Sequence, residues 1–175
     1  MTGVQTCALP ICLSAPGIES SGGSLGHGLG LGIGMAVANL YDGNPGRIFV
    51  LLGDGECNEG SVWEAFMLAP QLKLSNLTVL IDFNQIQSLG RTNEILDQRN
   101  LSERLRAFGW DSCDVDGHDL PTLCSALERN PSQKPRAFVM QTVKGKGVSF
   151  MEDKLLWHYR SPSDEELALA LKELE

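Results

Sequence analysis

The chain has 175 residues, enough for one ordinary domain with a single core and too few for two. Lys and Arg number 14 against 22 Asp and Glu, so the net charge is −8 and no basic stripe exists to neutralise the phosphates of a nucleic acid. Hydrophobic residues make up 42% and charged residues 21%, a globular balance, and no apolar run approaches the ~20 residues that span a bilayer. The five cysteines (Cys7, Cys12, Cys57, Cys113, Cys124) are odd in number and form no C-x-x-C pair. That pattern argues against a disulfide framework or a zinc site and fits a reducing cytoplasm.

Residues 1–11, MTGVQTCALPI, carry neither a helical nor a strand period, and they lack the cationic start of a signal peptide because the first Lys or Arg is Arg47. The string resembles translated sequencing-adapter DNA. Residues 1–14 are therefore set apart, and residues 15–175 are expected to form the domain, incomplete at its N-terminus. Residues 20–34 (SSGGSLGHGLGLGIG) read as a glycine-rich loop running into a helix over 35–40. Asp42-Gly43-Asn44-Pro45-Gly46 is a turn. The run IFVLL at 48–52 predicts a strand buried on both faces, ended by Gly53-Asp54-Gly55. Residues 59–72 read as a helix with Trp63, Phe66 and Met67 inward, ended or kinked by Pro70 near Ala69. LTVLI at 77–81 predicts a second buried strand, closing at Asp82-Phe83-Asn84. Residues 85–100 read as loop, 101–108 as a short helix, 112–115 as a strand and Asp116-Gly117 as a turn. Asp119 suits the cap of the next helix, with Pro121 in its first turn. A strand over 137–143, a loop at 144–147 and a helix over 164–174 capped by Ser163 complete the chain. Strands alternating with helices predict an α/β fold on a mainly parallel sheet with helices on both faces.

The glycines match no common phosphate motif. Gly26, Gly28, Gly30, Gly32 and Gly34 fall on every second position, so G-x-G-x-x-G is never in register. The P-loop pattern fails too, because Gly145-Lys146 is followed by glycine and residue 140 is Met. The informative pair is Gly53-Asp54-Gly55 with Asn84. Each lies just past the end of a predicted strand, and a helix connects them, so both side chains emerge at the carboxyl edge of a parallel sheet, where ligands bind. A carboxylate and an amide oxygen suit Mg²⁺ or Ca²⁺, and Gly55 lets a phosphate approach the backbone. On these residues alone, Asp54 serves equally well as a helix cap and Asn84 as a turn residue.

G-D-G, 28 intervening residues and Asn resembles the thiamine-diphosphate binding motif. The surrounding text is more specific. GSLGHGLGLGIGMA, LLGDGECNEGSVWEAF, KLSNLTVLIDFNQIQSLG, RAFGWDSCDVDGHDL and TVKGKGVSFMEDKLLWH, in this order, resemble transketolase, and most of all the N-terminal subunit of its two-subunit bacterial type. The resemblance covers residues 15–175. It implies the diphosphate-binding domain of that fold, with Mg²⁺ (or Ca²⁺ or Mn²⁺) held by Asp54, Asn84 and the backbone carbonyl of Ile86. It places Gly53, Gly55 and Glu56 against the diphosphate of thiamine diphosphate and matches Ser24, Leu25, Gly26 and His27 to the family's cofactor-side loop. It matches Glu59 and Glu64 to glutamates that couple active sites across a subunit interface, and His158 to a histidine near the diphosphate and the reacting carbon. His27 otherwise reads as a helix-terminus residue, Glu59 and Glu64 as a solvated helix face, and His158 as an exposed histidine. Relatives commonly read His-Gly where this chain reads His158-Tyr159.

His118 reads as a turn residue, and Lys144 and Lys146 as either anion-facing or solvated. The implied activity is transfer of a two-carbon ketol unit from a ketose phosphate to an aldose phosphate. The implied partner is a C-terminal subunit carrying the pyrimidine-binding domain, in an assembly with two copies of each. The chain alone is expected to be inactive. Other readings are a different thiamine-diphosphate enzyme (1-deoxyxylulose-5-phosphate synthase or a 2-oxo-acid dehydrogenase first component) or a non-catalytic fragment retaining the fold. No nucleic-acid or membrane partner is expected.

Overall fold

The computed structural model describes residues 18–20, 22–128 and 133–175. The stretch that resembles adapter sequence lies outside them. In chain order the elements are α1 (Gly28–Tyr41), β1 (Ile48–Gly53), α2 (Gly60–Gln71), β2 (Leu77–Phe83), β3 (Ile86–Gln87), β4 (Gly90–Arg91), α3 (Thr92–Ile95), α4 (Leu101–Phe108), β5 (Asp111–Asp116), α5 (Leu120–Glu128), β6 (Arg136–Gln141) and α6 (Asp164–Glu173), with short 3₁₀ turns at Glu56–Asn58 and Leu155–His158. Four strands form one parallel sheet in the order β1-β2-β6-β5. β3 and β4 form a separate antiparallel hairpin. The expected α/β class with a mainly parallel sheet is therefore the observed one. No helix among the described residues is long and apolar enough to cross a membrane.

One face of the sheet carries α1, α2 and α4 over a continuous core that includes Leu29, Ile33, Val50, Leu52, Phe66, Val79, Ile81 and Trp110. Aromatic edges lock the helices together: the Trp110 ring meets Phe66 at 5.4 Å, and Trp63 meets Phe66 at 5.8 Å and Phe108 at 5.9 Å. Such edge-to-face contacts use the positive ring edge against the negative face. The Trp110 indole N–H is satisfied by the Phe66 carbonyl at 2.7 Å. α5 lies on the opposite face, where the Arg47 guanidinium stacks on Phe49 and donates to the Leu127 carbonyl at 2.9 Å.

Several local expectations change. The glycine-rich run is helical from Gly28 onward, because the sheet draws α1 close. A Cβ on Gly32 would stand 2.3 Å from Val50 Cγ2. β1 is not buried on both faces: Phe49 is 45% and Leu51 60% exposed at the sheet edge. Met67 points outward, while Trp63 and Phe66 face in as expected. Pro70 does not end α2, which runs on to Gln71. Its ring packs where Gly109 leaves room, since a Cβ there would stand 3.2 Å from Pro70 Cβ. Residues 85–100 are not a plain loop, for they hold the hairpin and α3. β6 stops at Gln141 rather than Val143. Both expected caps form. Asp119 accepts from the Thr122 N–H at 3.2 Å, and Ser163 makes a full capping box with Glu166.

Gly32→Ala is expected to lower stability by about 1–3 kcal/mol, because stiff Val50 cannot retreat and overpacking outweighs the gain in helix propensity. Gly34→Ala, with nothing within 4 Å of its Cβ position, is expected to raise stability by about 0.5–1 kcal/mol. Urea unfolding midpoints of the two variants should therefore move in opposite directions.

Candidate functional site

The sheet register builds the site. Gly53 pairs with Asp82, and Phe83 pairs with Gln141, so Asp54, Asn84 and Thr142 leave adjacent parallel strands at the same edge. The Asp54 N–H donates to the Asp82 carbonyl at 3.2 Å and closes the corner. Asp54 is 1% and Asn84 4% exposed. The carboxylate of Asp54 accepts at Oδ1 from the Gly55 N–H at 2.7 Å and at Oδ2 from the Thr92 hydroxyl at 2.7 Å, and the Gln85 backbone N–H also bonds to it. Asn84 Nδ2 donates to Asp82 Oδ2 at 3.2 Å, and Asn84 Oδ1 accepts from the Ile86 N–H at 3.0 Å. The Thr142 hydroxyl donates to the other oxygen of Asp82. This pairing fixes the orientation of the Asn84 amide.

A second group of residues is tied to the first through the turn after Asp54. The Gly26 N–H donates to Glu56 Oε1 at 3.0 Å, and the Ser61 hydroxyl donates to the Gly26 carbonyl at 2.9 Å. Gly26 sits at φ +84°, and a Cβ there would lie 2.5 Å from Ser61 Oγ, so only glycine fits. This draws the loop carrying Ser24, Leu25 and His27 onto Glu56. His27 stands at the N-terminus of α1, its Nδ1 within 3.1–3.3 Å of the Leu25 and Ser24 oxygens. Glu59 and Glu64 are exposed at and just beyond the start of α2.

Burial pushes the Asp54 carboxyl up to about 6, opposed by the bonds from Thr92 and Gly55, while nearby Asp82 raises it further. Burial also raises Glu56, opposed by the Gly26 N–H. Lys144 is buried, contrary to a solvated reading. Its ammonium is pushed down by burial and held up by the negative charges of Asp82 and Asp54. His158 is half-buried, and its imidazole is lowered by burial and by the Lys144 charge. Lys146 is exposed and pairs with Glu152 at 3.3 Å. His118 is a turn residue whose Nε2 accepts from the Val143 N–H at 2.8 Å.

Among the described residues no three His, Cys, Asp or Glu side chains converge. What converges is one carboxylate, one amide oxygen and the backbone of Ile86, an all-oxygen donor set that suits a hard divalent cation rather than zinc. Thr92, Gln98, Asp82 and Thr142 were invisible in the sequence as parts of this site. The polar stretch 85–100 has no period, and only the pairing of strand ends places these residues.

A family model described as "Transketolase, thiamine diphosphate binding domain" matches residues 2–174. The chain is 40% identical over 167 residues to an apulose-4-phosphate transketolase subunit of Actinobacillus succinogenes, covering 95% of this chain and 60% of that protein. It is 40% identical over 161 residues to "6-deoxy-6-sulfo-D-fructose transketolase subunit SqwG" of a Clostridium species, covering 91% and 58%. It thus spans about three-fifths of the length of these curated relatives. The crystal structure of transketolase from Campylobacter jejuni superposes with a TM-score of 0.83 at 28% identity, over 90% of this chain and 26% of that one.

The folded chain keeps the Asp54 proton up to about pH 6, whereas an unfolded chain releases it near 3.8. Between these values the folded state binds more protons, so cation-free stability falls as pH rises through that window. Asp54→Asn removes the buried charge. In EDTA at pH 8 it should stabilise the chain by up to about 3 kcal/mol, a gain that vanishes near pH 4. Chemical denaturation at the two pH values measures both.

Proposed function

The chain belongs to the transketolase thiamine diphosphate-binding domain family, and from that premise we propose that it is the N-terminal, diphosphate-binding subunit of a two-subunit transketolase-type transferase. The observation that supports this most is the buried Asp54 carboxylate beside the Asn84 amide at adjacent parallel strand ends. Asp54, Asn84 and the carbonyl of Ile86 would hold Mg²⁺, which takes few protein ligands and completes its shell with phosphate oxygens and water. Ca²⁺ or Mn²⁺ would suit the same oxygens. Gly53, Gly55 and Glu56, with Ser24, Leu25 and Gly26, would line the diphosphate, and the Lys144 ammonium would face its charge.

Thiamine diphosphate, when bound, supplies a carbon nucleophile that breaks and re-forms a carbon–carbon bond beside a sugar carbonyl. This chain's part is to anchor, orient and neutralise. His158, held neutral at physiological pH by burial and by Lys144, would give or take one hydrogen bond near the reacting groups, and His27 would stand at the cofactor side of the loop. Glu59, exposed at the N-cap of α2, and Glu64, exposed within it, would meet a second subunit.

Both bacterial relatives are named as subunits of their transketolases, which supports a partner polypeptide. In this proposal the partner carries the pyrimidine-binding domain and the assembly holds two copies of each. Their names also include a phosphorylated and a sulfonated sugar, which supports an anionic sugar as substrate; in this proposal a ketose phosphate gives the two-carbon unit and an aldose phosphate takes it.

In the complex reconstituted with the pyrimidine-domain partner, Asp54→Ala should weaken Mg²⁺-dependent thiamine-diphosphate binding by more than about 100-fold, beyond the loss caused by removing an outer hydrogen-bond partner. Calorimetric titration measures it. Unchanged affinity would refute the metal assignment.

A further inference from the structure

Thr92 is bonded to both halves of the site. Its hydroxyl donates to Asp54 Oδ2 at 2.7 Å, and its backbone N–H donates to the Gln85 carbonyl at 3.0 Å, inside the turn between Asn84 and Ile86. Thr92 is itself 2% exposed and opens α3, whose Leu96 N–H returns to the Thr92 carbonyl at 3.0 Å. Asp54 is anchored from behind as well. Gln98 Nε2 donates to its backbone carbonyl at 2.8 Å and also to Asn58 Oδ1.

From this we propose that Thr92 is a positioning residue that sets the spacing between Asp54 and the Asn84–Ile86 turn for a divalent cation; the proposal rests on the cofactor reading above. The geometry gives the reason. Gly55 holds Oδ1 and Thr92 holds Oδ2, so the Asp54 carboxylate cannot rotate without breaking both bonds. Removing the Thr92 hydroxyl releases the Oδ2 side while leaving the Thr92 backbone bond to Gln85 in place. The loss then falls on cation affinity more than on the fold, as with other groups that orient a metal ligand.

The test is tryptophan fluorescence of the complex reconstituted with the pyrimidine-domain partner, titrated with Mg²⁺ at fixed thiamine diphosphate, with melting of the chain in EDTA as the control for folding. Thr92→Val is expected to raise the Mg²⁺ half-saturation about 10- to 100-fold. Saturating Mg²⁺ should restore cofactor binding, and Thr92→Ser should return the half-saturation close to wild type. If Thr92→Val does not fold, Thr92→Ala makes the same comparison. An unchanged half-saturation overturns the proposal. So does a loss of cofactor binding that neither excess Mg²⁺ nor Thr92→Ser repairs, since that is the mark of a purely structural residue. A wild-type complex with no Mg²⁺-dependent binding overturns the cofactor reading itself and this proposal with it. Wild-type binding that is insensitive to Thr92 removes this proposal alone.

Discussion

A carboxylate taken out of water without a directly bonded cation is costly, and the architecture around Asp54 is arranged to bear that cost. A buried ionised group is tolerated when hydrogen bonds and nearby charge replace its hydration. Here the replacement is spread over distant parts of the chain. Gly55 gives a local N–H, Thr92 reaches back from beyond the hairpin, and Lys144 in the loop after β6 adds a nearby positive charge. These sources meet only because β1, β2 and β6 are parallel and adjacent, so that their carboxyl ends share one edge.

The same requirement explains the close packing behind the edge. α1 must approach β1 nearly backbone to side chain at Gly32 for the loop before it to reach the turn after Asp54. The link is then made by Gly26 to Glu56 and by Ser61 to Gly26. A larger residue at Gly26 or Gly32 would separate two polar clusters that the proposed cofactor needs side by side. Packing at the helix–sheet interface and chemistry at the sheet edge are thus one constraint seen from two ends.

The parallel sheet was legible because IFVLL and LTVLI are runs that water rejects, and Asp54 and Asn84 were legible because each lies within three residues of the end of such a run. The helical fate of residues 28–34 was not. Glycine reads as loop by propensity, and only contact with Val50 shows why it stands in a helix. Met67 escapes an inward assignment because helical spacing gives a face but not its width. Proline signals a stop, yet Pro70 in the last turn removes only one bond and here fills the space left by Gly109. Lys144 could not be told from Lys146 by composition. Their burial differs because Lys144 lies three residues past the end of β6, near Asp54 and Asp82, while Lys146 lies further out on the turn.

The charges at the edge carry the synthesis one step further. Asp54 and Asp82 against Lys144 leave the cation-free site with a negative balance above pH 6, and Asp54 titrates upward for that reason as well as for its burial. Such a site repels a diphosphate. A divalent cation among the same oxygens reverses the sign, and at short range in a desolvated corner the reversal is felt strongly. On the proposed function, metal and anionic cofactor therefore each create the field that the other needs. The stability lost by burying Asp54 returns when both are present, because a ligand that binds only the folded state stabilises it by mass action.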